Sequence, residues 1–268
     1  MSRVALITGV SSGIGRATAG ALASAGLQTF GTVRGDVAPQ PGVELVRLDL
    51  RDPSSIEGSV REILDRAGRI DVLVNSAGTA LVAASEETSI EEVRALFETN
   101  FFGALRMTHA VLPAMRAQRY GRIVNITSVL GFLPAPFMSL YAASKHALEG
   151  WSESLDHEVR GLGIRVLTVE PGFTRTGLGH KSATAAHALS DYRVDRERVA
   201  AAVARNIEHG ADPKEVARVV ARVVTAHSPR LHNQAGREAR LLRLLRSVAP
   251  AALLDAGIRK SFGLGAAS

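Results

Sequence analysis

The start of the chain carries the pattern that most restricts its fold. Val4-Ala5-Leu6-Ile7 is an uninterrupted apolar run stopped by Thr8-Gly9, and Gly13-Ile14-Gly15 then opens a helical stretch to about Ala25, which Gly26 is placed to end. An apolar run without polar alternation suits a strand buried on both faces, the environment of a parallel sheet covered by helices. The same unit recurs along the chain. Thr29 to Val33 and Glu44 to Leu48 read as strands, Pro53 to Ala67 as a helix, and Val72 to Val74 as a fourth strand. Ile90 to about Arg119 reads as helical, with Pro113 expected to kink or divide it. Arg122 to Thr127 is a strand, Ser139 to Gly161 a long helix, and Ile164 to Val169 a strand ended by Glu170-Pro171-Gly172. Pro213 to Ala226 resumes a helix, and Arg230 to Ala235 reads as a last strand.

Strands alternating with helices of this length imply βαβ units and right-handed crossovers. The expected fold class is therefore α/β, a doubly wound parallel β-sheet flanked by helices on both faces. No linker or composition shift divides the chain, so residues 1–268 are read as a single domain with a C-terminal helical extension over about 237–268. From Thr174 to about Gly210 the periodicity weakens. That stretch is either a surface excursion or a lid over a site at the strands' carboxyl ends.

Composition excludes several function classes. The absence of cysteine rules out a disulfide framework and any thiolate nucleophile or metal ligand. The first apolar run stops at Gly9, too early for a signal peptide, and no stretch of about 18 apolar residues spans a membrane, so a cytoplasmic location is expected. The net charge of +6 asks for an anionic partner, but the 32 Lys and Arg are scattered and aromatics make up only 4%. A phosphate-bearing small molecule explains that charge more simply than nucleic acid does. The eight histidines show no sequence pairing with carboxylates at metal-ligand spacing, and no metal is expected.

Two stretches carry candidate chemistry. T-G-V-S-S-G-I-G, Thr8 to Gly15, lies where a strand hands over to a helix. There Gly9, Gly13 and Gly15 let the backbone approach a pyrophosphate, and the residues among them, Ser11, Ser12 and Ile14, supply N–H donors at the helix start. The plain alternative is a glycine-rich turn without a ligand. The second stretch runs from Ser128 to Lys145. If its end is helical, Tyr141 and Lys145 share a face one turn apart. A phenol of pKa about 10 holds its proton tightly at neutral pH, and a nearby ammonium would lower that value toward the range of a general acid/base. Ser128 would orient and polarise a substrate oxygen. Y-x-x-x-K alone arises by chance in many helices.

The spacing G-x-x-x-G-x-G, together with Ser128, Tyr141 and Lys145, resembles the short-chain dehydrogenase/reductase family, and the likeness runs from Arg3 to about Thr176. Further matches are Asp49, N-S-A-G at Asn75 to Gly78, Asn100, and P-G-F-T-R-T at Pro171 to Thr176. The resemblance implies a Rossmann-type domain in which Tyr141 protonates a carbonyl oxygen as hydride arrives and Ser128 hydrogen-bonds that oxygen. It also implies that Lys145 binds ribose hydroxyls while depressing the tyrosine pKa, and that Asn100 holds a water in a proton relay. Asn100 has a structural alternative as a polar residue satisfying backbone groups. By the same resemblance Asp49 accepts from the adenine amino group with Leu50 beside it. Asn75, Ala77 and Gly78 line the adenine ribose, and Pro171, Gly172, Thr174 and Thr176 surround the nicotinamide. Ser76 departs from the commoner second Asn and leaves one structural hydrogen bond in doubt.

Cofactor choice turns on the end of the second strand. Val33 stands where an NAD site would place an acid, and Arg34 follows it, suited to a 2′-phosphate, so NADP(H) is expected over NAD(H). Asp36 is the counterargument, and Arg16 either adds charge near the phosphates or is a solvated helix residue. On the substrate side Leu130, Phe132, Leu133, Phe137 and Met138 would form an apolar wall or pack ordinarily. They suggest an apolar ketone or aldehyde.

The segment Arg237 to Val248 puts Leu241, Leu244, Leu245 and Val248 on one face. This is expected to be core or subunit contact, with an anionic membrane surface as the alternative. Family resemblance implies a homodimer or homotetramer. The leading expectation is an NADPH-dependent carbonyl reductase. Its alternatives are an alcohol or steroid-type dehydrogenase working oxidatively and a non-catalytic NADP-binding regulator.

Overall fold

In the computed structural model, which describes residues 2–177 and 187–265, every apolar run becomes a strand of one sheet. The strands are β1 (Val4–Ile7), β2 (Gln28–Val33), β3 (Val43–Arg47), β4 (Val72–Asn75), β5 (Gly121–Ile126), β6 (Ile164–Pro171) and β7 (His232–Ala235). Their order is β3-β2-β1-β4-β5-β6-β7, and each neighbouring pair is parallel. The order reverses between β1 and β4. In such sheets the crevice outside the strands' carboxyl ends at that reversal is where ligands bind.

Alternate residues of the central strands feed two cores, which is why β1 and β4 show no polar face. Val4 and Leu6 of β1, with Leu73, Ile123 and Val166, pack against α2 (Pro53–Ala67), α4 (Gly103–Gln118) and α5 (Ser139–Val159). Ala5 and Ile7, with Val74, Val124 and Leu167, face α1 (Gly13–Ser24) and α7 (Pro213–Thr225). The α2 and α7 helices begin where their prolines predict: Asp52 and Asp212 accept from the amides of Ser54 and Lys214, with Pro53 and Pro213 at the first helical position.

Two expectations are corrected. The helix expected over 90–119 is divided, but not at Pro113: α3 (Ile90–Phe97) passes into a π-helical turn over Glu98–Phe102, and α4 follows. Pro113 sits inside α4, where it has no N–H to give the carbonyl of exposed His109.

The weakly periodic stretch contains a 19-residue helix, α6 (Ser190–Glu208), that buries only Val199, Ala202 and Val203. With so narrow an apolar stripe it gives almost no amphipathic signal. Residues 178–186 of the expected lid, and 266–268 of the C-terminal extension, lie outside the described residues. The extension itself is two helices, α8 (Arg237–Val248) and α9 (Ala251–Ser261). In α8 the face read as core or subunit contact is not core: Leu241, Leu244, Leu245 and Val248 are exposed on the single chain, and Ala239 and Leu242 turn inward. Among the described residues no helix is long and apolar enough to cross a membrane.

Candidate active site

The turn between β1 and α1 is built so tightly that its glycines are dictated by contact. Gly9 has φ +75° and lies where a Cβ would stand 2.9 Å from the Cα of Ala77, while a Cβ at Gly15 would be 2.4 Å from the carbonyl oxygen of Gly9. Gly13, at φ +60°, would bring its Cβ to 3.1 Å from Thr176, so the loop after β6 closes over the same turn. Ser12 precedes α1 without capping it through its side chain, and the first turn carries no acid. Backbone N–H groups at an uncapped, positively polarised helix start, beside a cradle that admits no Cβ, fit a pyrophosphate. Ser11, Ser12 and Ile14 supply backbone to this turn.

A residue outside the expected set holds the turn to the rest of the site. Thr8 is buried, and its Oγ1 accepts from the amides of Ser76 at 3.0 Å and Ala77 at 3.1 Å, tying the ends of β1 and β4 together. Asn75 donates to Asn125 Oδ1 at 2.8 Å, bracing β4 to β5. The Ser76 hydroxyl is buried with no hydrogen-bond partner among the described residues, so the bond placed in doubt by this substitution is not made there. An open cavity of about 970 Å³ flanks the turn, lined by Gly13, Arg16, Gln40, Thr176 and Lys214 among others, and does not reach Ser128 or Tyr141. Arg16 is spent on the loop after β2, donating to the carbonyls of Ala38 at 3.2 Å and Pro39 at 3.4 Å.

Toward the adenine end, Asp49 is gripped by Arg51 through Nε at 3.2 Å and Nη2 at 2.8 Å. That hydrogen bonding, outweighing burial, holds its carboxyl down to about 2. Leu50 packs where a Cβ on Gly103 would be 3.0 Å away. Arg34 is exposed after β2. Asp36 is also exposed and pairs with Arg47 at 2.5 Å.

Ser128, Tyr141 and Lys145 do converge. Ser128 follows β5 and accepts from the amide of Leu130 at 3.1 Å; it also shares a hydrogen bond with Tyr141. Lys145 Nζ donates to the carbonyl of Ile126 at 2.9 Å and stands 5.9 Å from the centroid of the Tyr141 ring. The sense of the tyrosine shift is opposite to expectation. Burial pushes Tyr141 up to about 12, against the opposing hydrogen bond from Ser128. Burial also brings Lys145 down to about 8, opposed by the charge of Glu149. Desolvation penalises phenolate and ammonium alike, and here it exceeds the opposing effects of Ser128 and Glu149.

Asn100 sits in the π-helical turn, with Oδ1 accepting from the Thr79 amide at 2.9 Å and Nδ2 donating to the Thr79 carbonyl at 2.9 Å and Ser144 Oγ at 3.1 Å. These bonds fulfil its structural reading. A Cβ on Gly78 would lie 3.4 Å from Asn100 Oδ1 and 3.8 Å from Lys145 Nζ, so both side chains converge on that glycine. Pro171 ends β6, Thr174 Oγ1 donates to the Gly172 carbonyl at 3.1 Å, and Thr174 bridges to Ala211. The excursion between them is thus closed at its base.

The apolar wall is larger than its sequence segment. Leu130, Phe132, Leu133 and Met138 are buried, with Phe137 half-buried beside them, in one cluster with α6, Ala239 and Leu242 of α8, and Leu254 and Ile258 of α9. Phe137 adopts φ +57°, held by its carbonyl accepting from the Ala83 amide at 2.8 Å. A bulky residue in that region is strained, and such strain gathers at functional sites.

A second cluster escaped the spacing argument. His232 of β7 stands among Glu149, Glu153 and Glu170, with Nδ1 2.8 Å from Glu170 Oε1. Hydrogen bonds to Glu149 and Glu170 raise it to about 9. The sheet gathers these groups from distant segments, which no local spacing in the sequence records.

A family model described as short chain dehydrogenase matches residues 3–187. A 3-ketodihydrosphingosine reductase of Bacteroides thetaiotaomicron is 34% identical over 236 residues, covering 87% of this chain and 88% of its own. An uncharacterized oxidoreductase of Bacillus subtilis is 32% identical over 96% of this chain and 98% of its own. The crystal structure of a short-chain dehydrogenase from Streptomyces avermitilis superposes with a TM-score of 0.81 at 36% identity, covering 99% of both chains.

Proposed function

This chain belongs to the short-chain dehydrogenase/reductase family, and from that premise we propose that it is an NADPH-dependent reductase of ketones or aldehydes. The observation that carries the reading is the meeting of Ser128, Tyr141 and Lys145 beyond β5, on the same edge of the sheet as the glycine turn. A bound nicotinamide supplies the hydride. The chain's residues do the rest. Ser128 donates a hydrogen bond to the substrate oxygen and Tyr141 gives it a proton, while the carbonyl carbon gains the hydride. The alcohol and oxidised cofactor leave, and Tyr141 regains its proton from solvent past Lys145. A phenol held near 12 is a reluctant donor. Charge developing on the substrate oxygen is what makes the transfer downhill.

For the cofactor, the turn from Gly9 to Gly15 would hold the pyrophosphate and Arg34 the 2′-phosphate. Asp49 and Leu50 would flank the adenine, Asn75, Ala77 and Gly78 its ribose. Pro171, Gly172, Thr174 and Thr176 would flank the nicotinamide, and Lys145 its ribose. Val33 in place of an acid, with Arg34 exposed after it, supports NADP(H) over NAD(H).

The substrate reading follows from the wall. Leu130, Phe132, Leu133 and Met138, joined by α8 and α9, suit a ketone on a long alkyl chain. The name of the Bacteroides relative points the same way. The test is NADPH consumption by purified protein over long-chain β-keto compounds, aromatic ketones, steroids and short aldehydes. Turnover of long-chain ketones above short aldehydes is expected. Turnover of none contradicts the function, and a preference for short aldehydes contradicts the substrate class.

A further inference from the structure

One buried acid on the catalytic helix has no place in the chemistry above. Glu149 lies one turn beyond Lys145 and two beyond Tyr141 on α5, so all three share a face. It is 5% exposed; Oε1 has no hydrogen-bond partner among the described residues, and Oε2 faces only His232 Nδ1. Burying such a group is costly unless opposite charges face it.

Two features pin it in place. Gly131, in the turn opened by Ser128, passes so close that a Cβ there would stand 2.8 Å from Glu149 Cγ. On the far side His232 Nδ1 is 3.3 Å from Glu149 Oε2, and its Nε2 is 3.3 Å from Glu153 Oε1. Glu149, Glu153 and His232 each bring one atom within 4.8 Å of the others, the geometry of an imidazolium held between carboxylates. The charged groups facing this acid are therefore Lys145 from α5 and His232 from β7. His232 in turn meets Glu153 of α5 and Glu170 of β6, and Arg243 of α8 acts on Glu170. Glu153 is half exposed, so the line from Lys145 through Glu149 and His232 ends in solvent.

We propose that Glu149, clamped between Gly131 and His232, is a positioning residue for Lys145: its carboxylate keeps the lysine an ammonium, directed at the carbonyl of Ile126 and the cofactor ribose. This rests on the reading that Lys145 holds that ribose. Burial alone favours a neutral lysine, and Glu149 is the charge that opposes it. The isosteric change Glu149→Gln removes the charge and keeps the volume, and His232 keeps Glu170 and Glu153 as partners, so the fold is retained. Glu149→Asp keeps the charge.

The experiment is NADPH binding followed by cofactor fluorescence from pH 6 to 10 for wild type and both variants, with kcat/KM profiles on any substrate found. Affinity should fall on the alkaline side in wild type, and in Glu149→Gln that fall should move to lower pH by about one unit. Near pH 6 the two should bind alike, and Glu149→Asp should stay close to wild type. An unmoved alkaline limb in Glu149→Gln, or a loss of affinity equal at every pH, would overturn the proposal. Binding is read without turnover, so protein that binds NADPH with the expected pH behaviour yet reduces no carbonyl contradicts the proposed function and leaves this inference standing.

Discussion

Arg34 leaves the end of β2 exposed, with its carbonyl accepting from Arg47 at 3.1 Å and the Asp36 carboxylate drawn to the same Arg47. On the proposed reading this guanidinium would meet the ribose 2′-phosphate. Charge-assisted hydrogen bonds contribute about 2 kcal/mol. Arg34→Ala should therefore weaken NADPH binding about thirtyfold and leave NADH within a few fold, by fluorescence titration. Equal losses for both cofactors, or tighter binding of NADH by wild type, would contradict the assignment. At this scale the site was legible wherever geometry is local. Gly9, Gly13 and Gly15 answer to a turn of a few residues, and Tyr141 and Lys145 to one turn of helix. The direction of the Tyr141 shift was not legible, because burial is set by segments that meet only in the fold. Thr8 gave no signal for the same reason: its partners, Ser76 and Ala77, lie on another strand.

Helix α6 shows what element-scale reading misses. Its polar surface hides its helicity, and one buried ion pair fastens it: Glu87, fully buried, pairs with Arg196 and accepts from the Leu189 amide at 2.8 Å. Breaking such a pair from one side strands a charge and costs about 3–5 kcal/mol. Arg196→Ala should lower global stability by about that amount in denaturant unfolding, and protease should cleave first near α6. Unchanged stability would mean that the pair does not hold the helix. The π-helical turn at Glu98–Phe102 was hidden in another way, since its extra residue leaves hydrophobic content unchanged and Pro113 drew the break to the wrong place. Strands β1 and β4 were the most legible elements, because each is buried on both faces and reads as an apolar run, whereas the edge strands β3 and β7 are only partly buried. In α8 the apolar face was visible but its direction was not: Leu242 packs inward and Leu241, Leu244 and Leu245 face out.

Across the whole molecule, the reversal of strand order between β1 and β4 brings the glycine turn, Asn75 to Gly78 and the Ser128 segment to the carboxyl ends of the central strands. The edge strand β7 carries His232 into the carboxylate cluster, which makes stability pH-dependent. Its folded pKa, about 9, is raised above the ordinary imidazole value of 6.5, with hydrogen bonds to Glu149 and then Glu170 as the main causes. The stabilisation is therefore complete below about pH 6.5 and lost as pH rises through about 9, a swing on the order of 3 kcal/mol. Thermal unfolding should show Tm falling by several degrees between those values in wild type and much less in His232→Gln. Equal pH slopes would remove the imidazolium from the account. The central claim concerns chemistry at Tyr141, and the most direct measurement is turnover of an accepted ketone by Tyr141→Phe with NADPH. The variant should lose at least about a hundredfold in kcat while binding NADPH nearly as wild type does. Undiminished turnover would contradict Tyr141 as the proton donor.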